Sequence, residues 1–375
     1  MRKKIILSIG LLLVTFCLKA QEDSTYQKYI GFVEKLAFHL SQRDTVFFQK
    51  NFDHQLLANV YEKIAPHESK EDLIVMNKVL EKVGSMYHKR VYQNLGQHGS
   101  IDIVQFYLDK QHRGHAVFRL LYPSGDLNYH TILLRKIQHQ IKIVNIYNFS
   151  TAEYLTETYQ RHSYAAAYEG NYRANFFTSL KANALAKAGQ AQAGYDSLQT
   201  LPAKFRNNCG VLFGFLKALS FAGKKSEKVF FKVQKQFASR FPNNPSLLFL
   251  KIYYYHELGY FDQALESIQN LQKKLGGDPY LDIYQASLYY AKKDYNQAIL
   301  ICQQLIKDGK HLPDAFFQLL RVYQDQKKHK LVLQNLLEYA ALISVKPAKA
   351  LDATQFSSFY ASQVWQDYQA KQEKD

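Results

Sequence analysis

Apolar residues change their spacing twice along the chain. Near the start, Tyr29-Ile30, Phe32-Val33, Leu36 and Leu40 recur at three- and four-residue intervals, the period that puts them on one face of an amphipathic helix. The segments DHQLLANVYEKIA and EDLIVMNKVLEKVGSMY repeat that period and read as further helices. The period then becomes two. SIDIVQFYLDK, GHAVFRLLYPS, LNYHTILLRKI and QIKIVNIYNFS alternate like strands and are separated by the turn-forming QHRG, SGD and QH. Helices followed by an antiparallel meander imply an α+β domain, placed at residues 21–160.

From about His162 only helical periods remain. Here the chain repeats itself: Pro245, Pro279 and Pro313 stand 34 residues apart, as do Tyr255, Tyr289 and Tyr323, and as do Ala264, Ala298 and Val332. Three columns that keep one interval imply tandem helix-turn-helix units, because an insertion would break all of them together. Upstream, FFTSLKANALAKAGQAQAGYDSLQTLP and the pair VLFGFLKALSFAGKK and SEKVFFKVQKQFASRF supply two earlier hairpins, giving about five over residues 161–345. Residues 346–375 read as a terminal capping helix with Phe356, Tyr360 and Trp365 on one face.

A 34-residue helix-turn-helix register with proline, tyrosine and small-residue columns resembles the tetratricopeptide repeat. The sequence departs from that family at the usual large aromatic of the first helix (Leu248, Asp282, Phe316) and at its small partner (Ile252, Ala286, Leu320). The resemblance implies an all-α solenoid whose first helices line a concave groove for a protein or peptide. The matching positions are Phe249, Tyr253 and His256, then Ile283, Ser287 and Tyr290, then Phe317, Arg321 and Gln324. Each triplet has the spacing i, i+4, i+7 and so shares a helix face. The alternative for each aromatic is an ordinary core position.

The run FRLLYPSGDLNYHTILLRKI with KIVNIYNF resembles the sheet of the nuclear-transport-factor-2-like (cystatin-like) roll, with Thr131 and Asn145 where exported members carry acids. Such rolls often enclose a pocket. Strand parity groups Arg119 with Val117, Tyr129 with Thr131, and Asn145 with Ile143 and Tyr147. If these faces turn inward, Arg119, Tyr129, Thr131 and Asn145 form a polar set in an apolar cone. A hydrogen-bond network without a ligand is the competing reading.

Motifs for catalysis are missing: there is no Gly-x-Ser-x-Gly turn, phosphate-binding glycine loop, His-Glu-x-x-His helix or Cys-x-x-Cys pair. His112 and His115 lie in a turn without a third ligand, so neither a metal nor a cofactor is expected. Arg2, Lys3 and Lys4 before the apolar run Ile5–Phe16, and Ala20 before Gln21, read as a cleaved secretory signal over residues 1–20. The chain is then exported, to the periplasm or cell envelope or beyond, and no later stretch is apolar enough to cross a membrane. Cys209 and Cys302 sit in apolar helical patterns and read as packing residues.

Charge is uneven. Residues 21–160 hold 16 basic and 15 acidic groups, and residues 161–375 hold 28 and 17. Lys224, Lys225, Lys228, Lys232, Lys235 and Arg240 crowd one hairpin, so an acidic protein or an anionic membrane surface is a candidate partner. Nucleic acid is not expected for an exported chain. Three functions stay open: a non-enzymatic adaptor, a small-molecule site in the cone, and peripheral membrane association.

Overall fold

A computed structural model describes residues 24–55, 58–59, 78, 86–159, 171–310 and 312–372. The signal segment and much of the two helices expected around residues 53–65 and 71–87 lie outside these residues. The described chain forms two compact units, the division falling at Ser150–Ala152 and again at Ala174. One is α+β and the other all-α.

In the first unit, α1 (Ser24–Ser41) and α2 (Thr45–Asn51) precede a helical stretch at 86–95 and a five-stranded antiparallel sheet. Asp44 starts α2 by accepting the Val46 amide at 2.8 Å, which satisfies one of the helix's unpaired first-turn donors. The strands are β1 (Ser100–Leu108), β2 (Gly114–Leu121), β3 (Leu127–Ile137), β4 (Gln140–Asn148) and the two-residue β5 (Glu153–Tyr154), in the order β1-β2-β3-β4-β5. Four of them coincide with the alternating runs.

The helical stripe Tyr29, Val33, Leu36 and Leu40 packs on Ala116, Phe118 and Leu120 of β2, Ile132 and Leu134 of β3, and Ile143 and Ile146 of β4. Burying each such aliphatic side chain stabilises the unit by about 1.5–3 kcal/mol relative to exposure. Two register shifts modify simple alternation, between Ile103 and Gln105 and opposite Leu133/Leu134. In β4 the pairs Leu133↔Asn145 and Leu134↔Ile143 leave Val144 as the extra residue. Ile143 therefore turns to the core while Asn145 turns away, and the expected grouping of the two on one face is incorrect. A bulge reverses strand parity beyond it.

The second unit contains α3 (Asn171–Lys187), α4 (Ala191–Gln199), the short α5 (Ala203–Arg206), α6 (Cys209–Ser220), α7 (Glu227–Arg240), α8 (Pro245–Leu258), α9 (Phe261–Leu275), α10 (Pro279–Ala291), α11 (Tyr295–Lys307), α12 (Leu312–Asp325) and α13 (His329–Leu342). Within it α6 packs on α7, α8 on α9, α10 on α11 and α12 on α13, and the last three hairpins pack in succession through α9 on α10 and α11 on α12. Helices in tandem of this kind are compatible with helical repeats.

The proline column acquires a cause at α8 and α10. Pro245 and Pro279 are first-turn residues, where a missing N–H is harmless. Each follows a side-chain cap, Asn244 accepting the Ser246 amide and Asp278 accepting the Tyr280 amide, both at 3.0 Å. Ala264, Ala298 and Val332 are fully buried. Two tyrosines of the column reach backward: the Tyr255 hydroxyl donates to Gln234 of α7 at 3.4 Å, and Tyr323 meets Gln303 of α11. Those two rings tie their hairpins to the ones before.

The chain's last part departs from one continuous helix. A 3-10 turn at Pro347–Lys349 leads to α14 (Ser357–Tyr360), and α15 (Gln363–Gln372) restarts after a break. Phe356, Phe359 and Trp365 are all buried against Leu320, Val332 and Leu336, so this end covers the apolar flank of α12 and α13.

Candidate functional site

The nine residues placed on the first-helix faces divide by burial. Phe249 and Ile283 are core residues, His256 is exposed with Nδ1 3.5 Å from Glu257, and the other six are half-buried. Four of these, Tyr253, Ser287, Tyr290 and Arg321, are joined by side chains bridging successive first helices. The Tyr253 hydroxyl donates to that of Tyr284 at 3.1 Å, with the rings edge-on at 5.8 Å. Gln318 donates to Ser287 at 2.6 Å and accepts Arg321 Nη1 at 3.3 Å. The Arg321 guanidinium lies 4.4 Å above the Tyr290 ring, a cation–π contact contributing about 0.5–1 kcal/mol at a partly solvated position.

Asp325 completes the row. Its carboxylate accepts the Tyr290 hydroxyl at 2.7 Å and the Tyr295 hydroxyl at 3.4 Å. Burial, followed by this donation to a carboxylate, raises the Tyr290 pKa. Gln324 donates to Ser358 at 2.8 Å and Phe317 packs 6.3 Å from both Phe356 and Tyr339. The residues toward the C-terminus are therefore engaged by the terminal segment, whereas Tyr253, Tyr284, Tyr290 and Arg321 keep part of their surface in solvent.

Tyr284, Gln318 and Asp325 were missed by the column analysis. The signal for Tyr284 and Gln318 is an offset of 31 residues, about one helical turn short of the repeat, which relates Tyr253 to Tyr284 and Ser287 to Gln318; Asp325, 35 residues after Tyr290, carries no such signal. A residue on one first helix meets its neighbour one turn earlier on the next.

Arg119, Tyr129, Thr131 and Asn145 do share one face of the sheet, and all are buried. It is the face opposite α1, so the polar set does not project into the core between helix and sheet as the cone reading required. Register explains this: Phe118 and Ile132 take the inner positions, and the odd-numbered residues of β2 and β3 must take the outer ones. Arg119 Nη2 donates to Asp102 at 3.0 Å, Asn145 Nδ2 donates to Thr156 at 2.9 Å, and the Tyr129 ring packs 5.5 Å from Phe149.

The inner face carries a different polar cluster. His130 Nδ1 bonds the Tyr87 hydroxyl, and its Nε2 lies 3.1 Å from Asn128 Nδ2, which donates to Asn148. Burial holds His130 neutral, with its pKa pushed down to about 3. Beside Tyr87, the adjacent His88 pairs with Gln49 at 3.2 Å on the wall of an open depression that Thr45, Lys89, Tyr92 and Gln93 complete. None of the four residues expected to form the pocket lines it.

His112 and His115 diverge. His112 occupies a left-handed turn position at φ 55°, while His115 stacks on Tyr107 at 4.8 Å and meets Asp109 at 3.1 Å. Among the described residues no group of three His, Cys, Asp or Glu side chains is placed to hold a metal. Cys302 is fully buried, which pushes its thiol up to about 12, and among the described residues neither it nor Cys209, whose thiol donates to the Ala152 carbonyl at 3.3 Å, is in a disulfide. The six basic residues from Lys224 to Arg240 are all exposed. No described helix is long and apolar enough to cross a membrane.

No protein-family model matches the chain, and no match is found among curated proteins or among solved structures.

Proposed function

We propose that the protein is an exported, non-enzymatic adaptor whose tandem hairpins, read as tetratricopeptide-like repeats, hold a protein segment along the exposed face of their first helices. The α+β unit, read as a nuclear-transport-factor-2-like roll, serves as its companion domain. The observation that carries this reading is the row Tyr253–Tyr284–Tyr290–Arg321, which runs across three successive helices and leaves aromatic surface partly solvated. Tyrosine and arginine in such a row supply rigid apolar area together with donors for backbone carbonyls, the combination that concentrates binding energy at protein interfaces. The side-chain bonds along the row fix the rotamers in advance, which reduces the entropy lost on binding.

The test is site-specific photo-crosslinking of the full chain in an envelope extract. A photoreactive residue at position 253 or 290 should capture the same discrete protein, and one at the exposed Leu300 on a second helix should not. Identical adducts from positions 253 and 300, or none from 253 and 290, overturn the reading.

A further inference from the structure

The hairpin formed by α6 and α7 carries a second surface that the adaptor reading leaves unused. Val229, Phe230, Val233 and Phe237 bury the inner side of α7. Its outer side then presents Lys228, Lys232 and Lys235 at intervals of three and four residues, a stripe that Lys224 and Lys225 of the preceding turn extend, and all five are exposed. Between Lys224 and Arg240 there is one acid, Glu227, and its carboxylate takes the Tyr260 hydroxyl at 2.5 Å.

At the head of the stripe stands Phe221, 66 % exposed, the α6 C-cap residue immediately before the turn at Gly223–Ser226. Lys187 Nζ lies 5.2 Å from its ring. The α3–α4 turn brings Gly189 close to the Lys225 side chain, so Lys187 joins the same field. Lys217 stands near enough to Lys187 that, after burial, repulsion from it is the next cause lowering the Lys217 pKa. Gathering like charges costs stability, and here they gather on the same face as a large exposed aromatic.

We propose that this face docks on a bilayer surface rich in anionic headgroups, the lysines meeting the headgroups and Phe221 entering the interfacial layer. Charge complementarity identifies the occupant. The stripe is five exposed lysines, three on the outward side of α7 and two in the turn before it, and lysine's compact, mobile ammonium suits a diffuse layer of charge, whereas arginine's planar fork suits fixed bidentate partners. A stacking platform for single-stranded nucleic acid needs successive aromatics along the charged path, and here Tyr195 lies beneath Lys232 Nζ at 4.1 Å. A solvent-exposed phenylalanine with a lysine ammonium beside its ring fits the polar–apolar boundary of a membrane.

The experiment is co-sedimentation of the full chain with phosphatidylcholine vesicles, with and without phosphatidylserine. Binding should require phosphatidylserine and should weaken about fivefold for each of Lys225→Gln, Lys228→Gln and Lys232→Gln, the equivalent of about 1 kcal/mol per lysine. It should survive the corresponding triple replacement by arginine. It should also fall as added salt shortens the screening length from about 8 Å under physiological conditions to about 3 Å at 1 M. Phe221→Ser should lower vesicle affinity without altering binding to a soluble polyglutamate peptide. Equal binding to pure phosphatidylcholine, no binding, or insensitivity to the triple glutamine variant overturns the proposal. A polyglutamate affinity matching that for vesicles, together with an inert Phe221→Ser, overturns it in favour of an acidic protein. Tyr253 and Tyr290 take no part in this surface, so failure here leaves the crosslinking result untouched.

Discussion

Lys293 occupies, between α10 and α11, the left-handed backbone position that Gly259 holds between α8 and α9, with φ 63° at the lysine and 76° at the glycine. In each turn the next amide, of Asp294 or Tyr260, bonds the carbonyl of Tyr289 or Tyr255 at 2.8 Å. The third turn repeats the device with Lys327 at φ 55° and Lys328 bonding the Tyr323 carbonyl at 2.9 Å. Such closures satisfy the last carbonyls of a helix and set the angle at which the next one leaves. The tyrosine column thus marks the helix ends as well as the seams between hairpins.

A side chain in the left-handed region is disfavoured by about 1–2 kcal/mol, partly offset by glycine's greater freedom in the unfolded chain. Lys293→Gly and Lys327→Gly should each stabilise the helical unit by about 0.5–1 kcal/mol, and Gly259→Ala should destabilise it by about 1 kcal/mol. Urea denaturation followed by far-UV circular dichroism would read these as midpoint shifts at unchanged slope. A Lys293→Gly variant with a lower midpoint would refute the argument.

Why this column escaped the sequence is clear: lysine stands at 293 and 327 where the first repeat has glycine at 259, so no residue marks all three as turn positions. The proline and alanine columns were legible because chemistry confines them, proline to a first turn and alanine to a close helix contact. The four long strands were legible from alternation, but Val144 was not, because an extra residue in β4 leaves no mark in an apolar run such as IKIVNI. That single residue separates Asn145 from Ile143. Which face of the sheet the helix covers is likewise a tertiary fact, and it puts His130, with Tyr87, on the inner face in place of Arg119 and Tyr129, which are buried on the outer one.

Gly194 offers a test of helix packing upstream of the clear register. It lies 70 residues before Ala264, two repeats with two residues added, which is why the small-residue column faded there. A Cβ at this position would sit 2.7 Å from the Ala182 carbonyl oxygen and 3.2 Å from the Phe215 ring. Because the carbonyl belongs to the α3 backbone, relief requires moving a helix. Gly194→Ala should therefore cost about 1–3 kcal/mol, against the slight gain expected for alanine in an unencumbered helix. Thermal unfolding of the full chain would decide, and an unchanged or raised Tm would exclude close packing of α3 on α4.

His130 makes the α+β unit sensitive to acid. Its pKa is about 3 in the folded chain, lowered by burial and only partly restored by a hydrogen bond to Asn148, while the unfolded chain takes up the proton near the ordinary value of about 6.5. Below that value the unfolded state binds more protons, so stability falls with pH. The contribution is complete above about pH 6.5 and is lost progressively toward pH 3, at a slope approaching about 1.4 kcal/mol per pH unit in the middle of the range. His130→Gln, which keeps polar atoms for Tyr87 and Asn128, should flatten this slope even where it lowers stability at neutral pH. Denaturation midpoints between pH 7 and pH 4 would measure it, and parallel profiles for both proteins would show that His130 is not the group responsible.

Trp365 is the chain's single tryptophan and is almost fully buried, with the rings of Tyr360 at 5.0 Å and of Phe359 and Tyr368 at 5.3 Å. Its fluorescence therefore reports the covering of the α12–α13 flank and little else. Phe359 is fully buried in the same cluster, and Phe359→Ala should cost about 3–5 kcal/mol locally. If neighbouring hairpins are stabilised mainly through their shared interfaces, the loss is felt first where the cover sits. The Trp365 emission should then shift to the red at a lower urea concentration than the loss of helical circular dichroism, and amide exchange should quicken in α12 and α13 before α8 and α9. Coincident transitions in this variant would mean that the helical unit unfolds as one cooperative block, with the terminal segment an integral part of it.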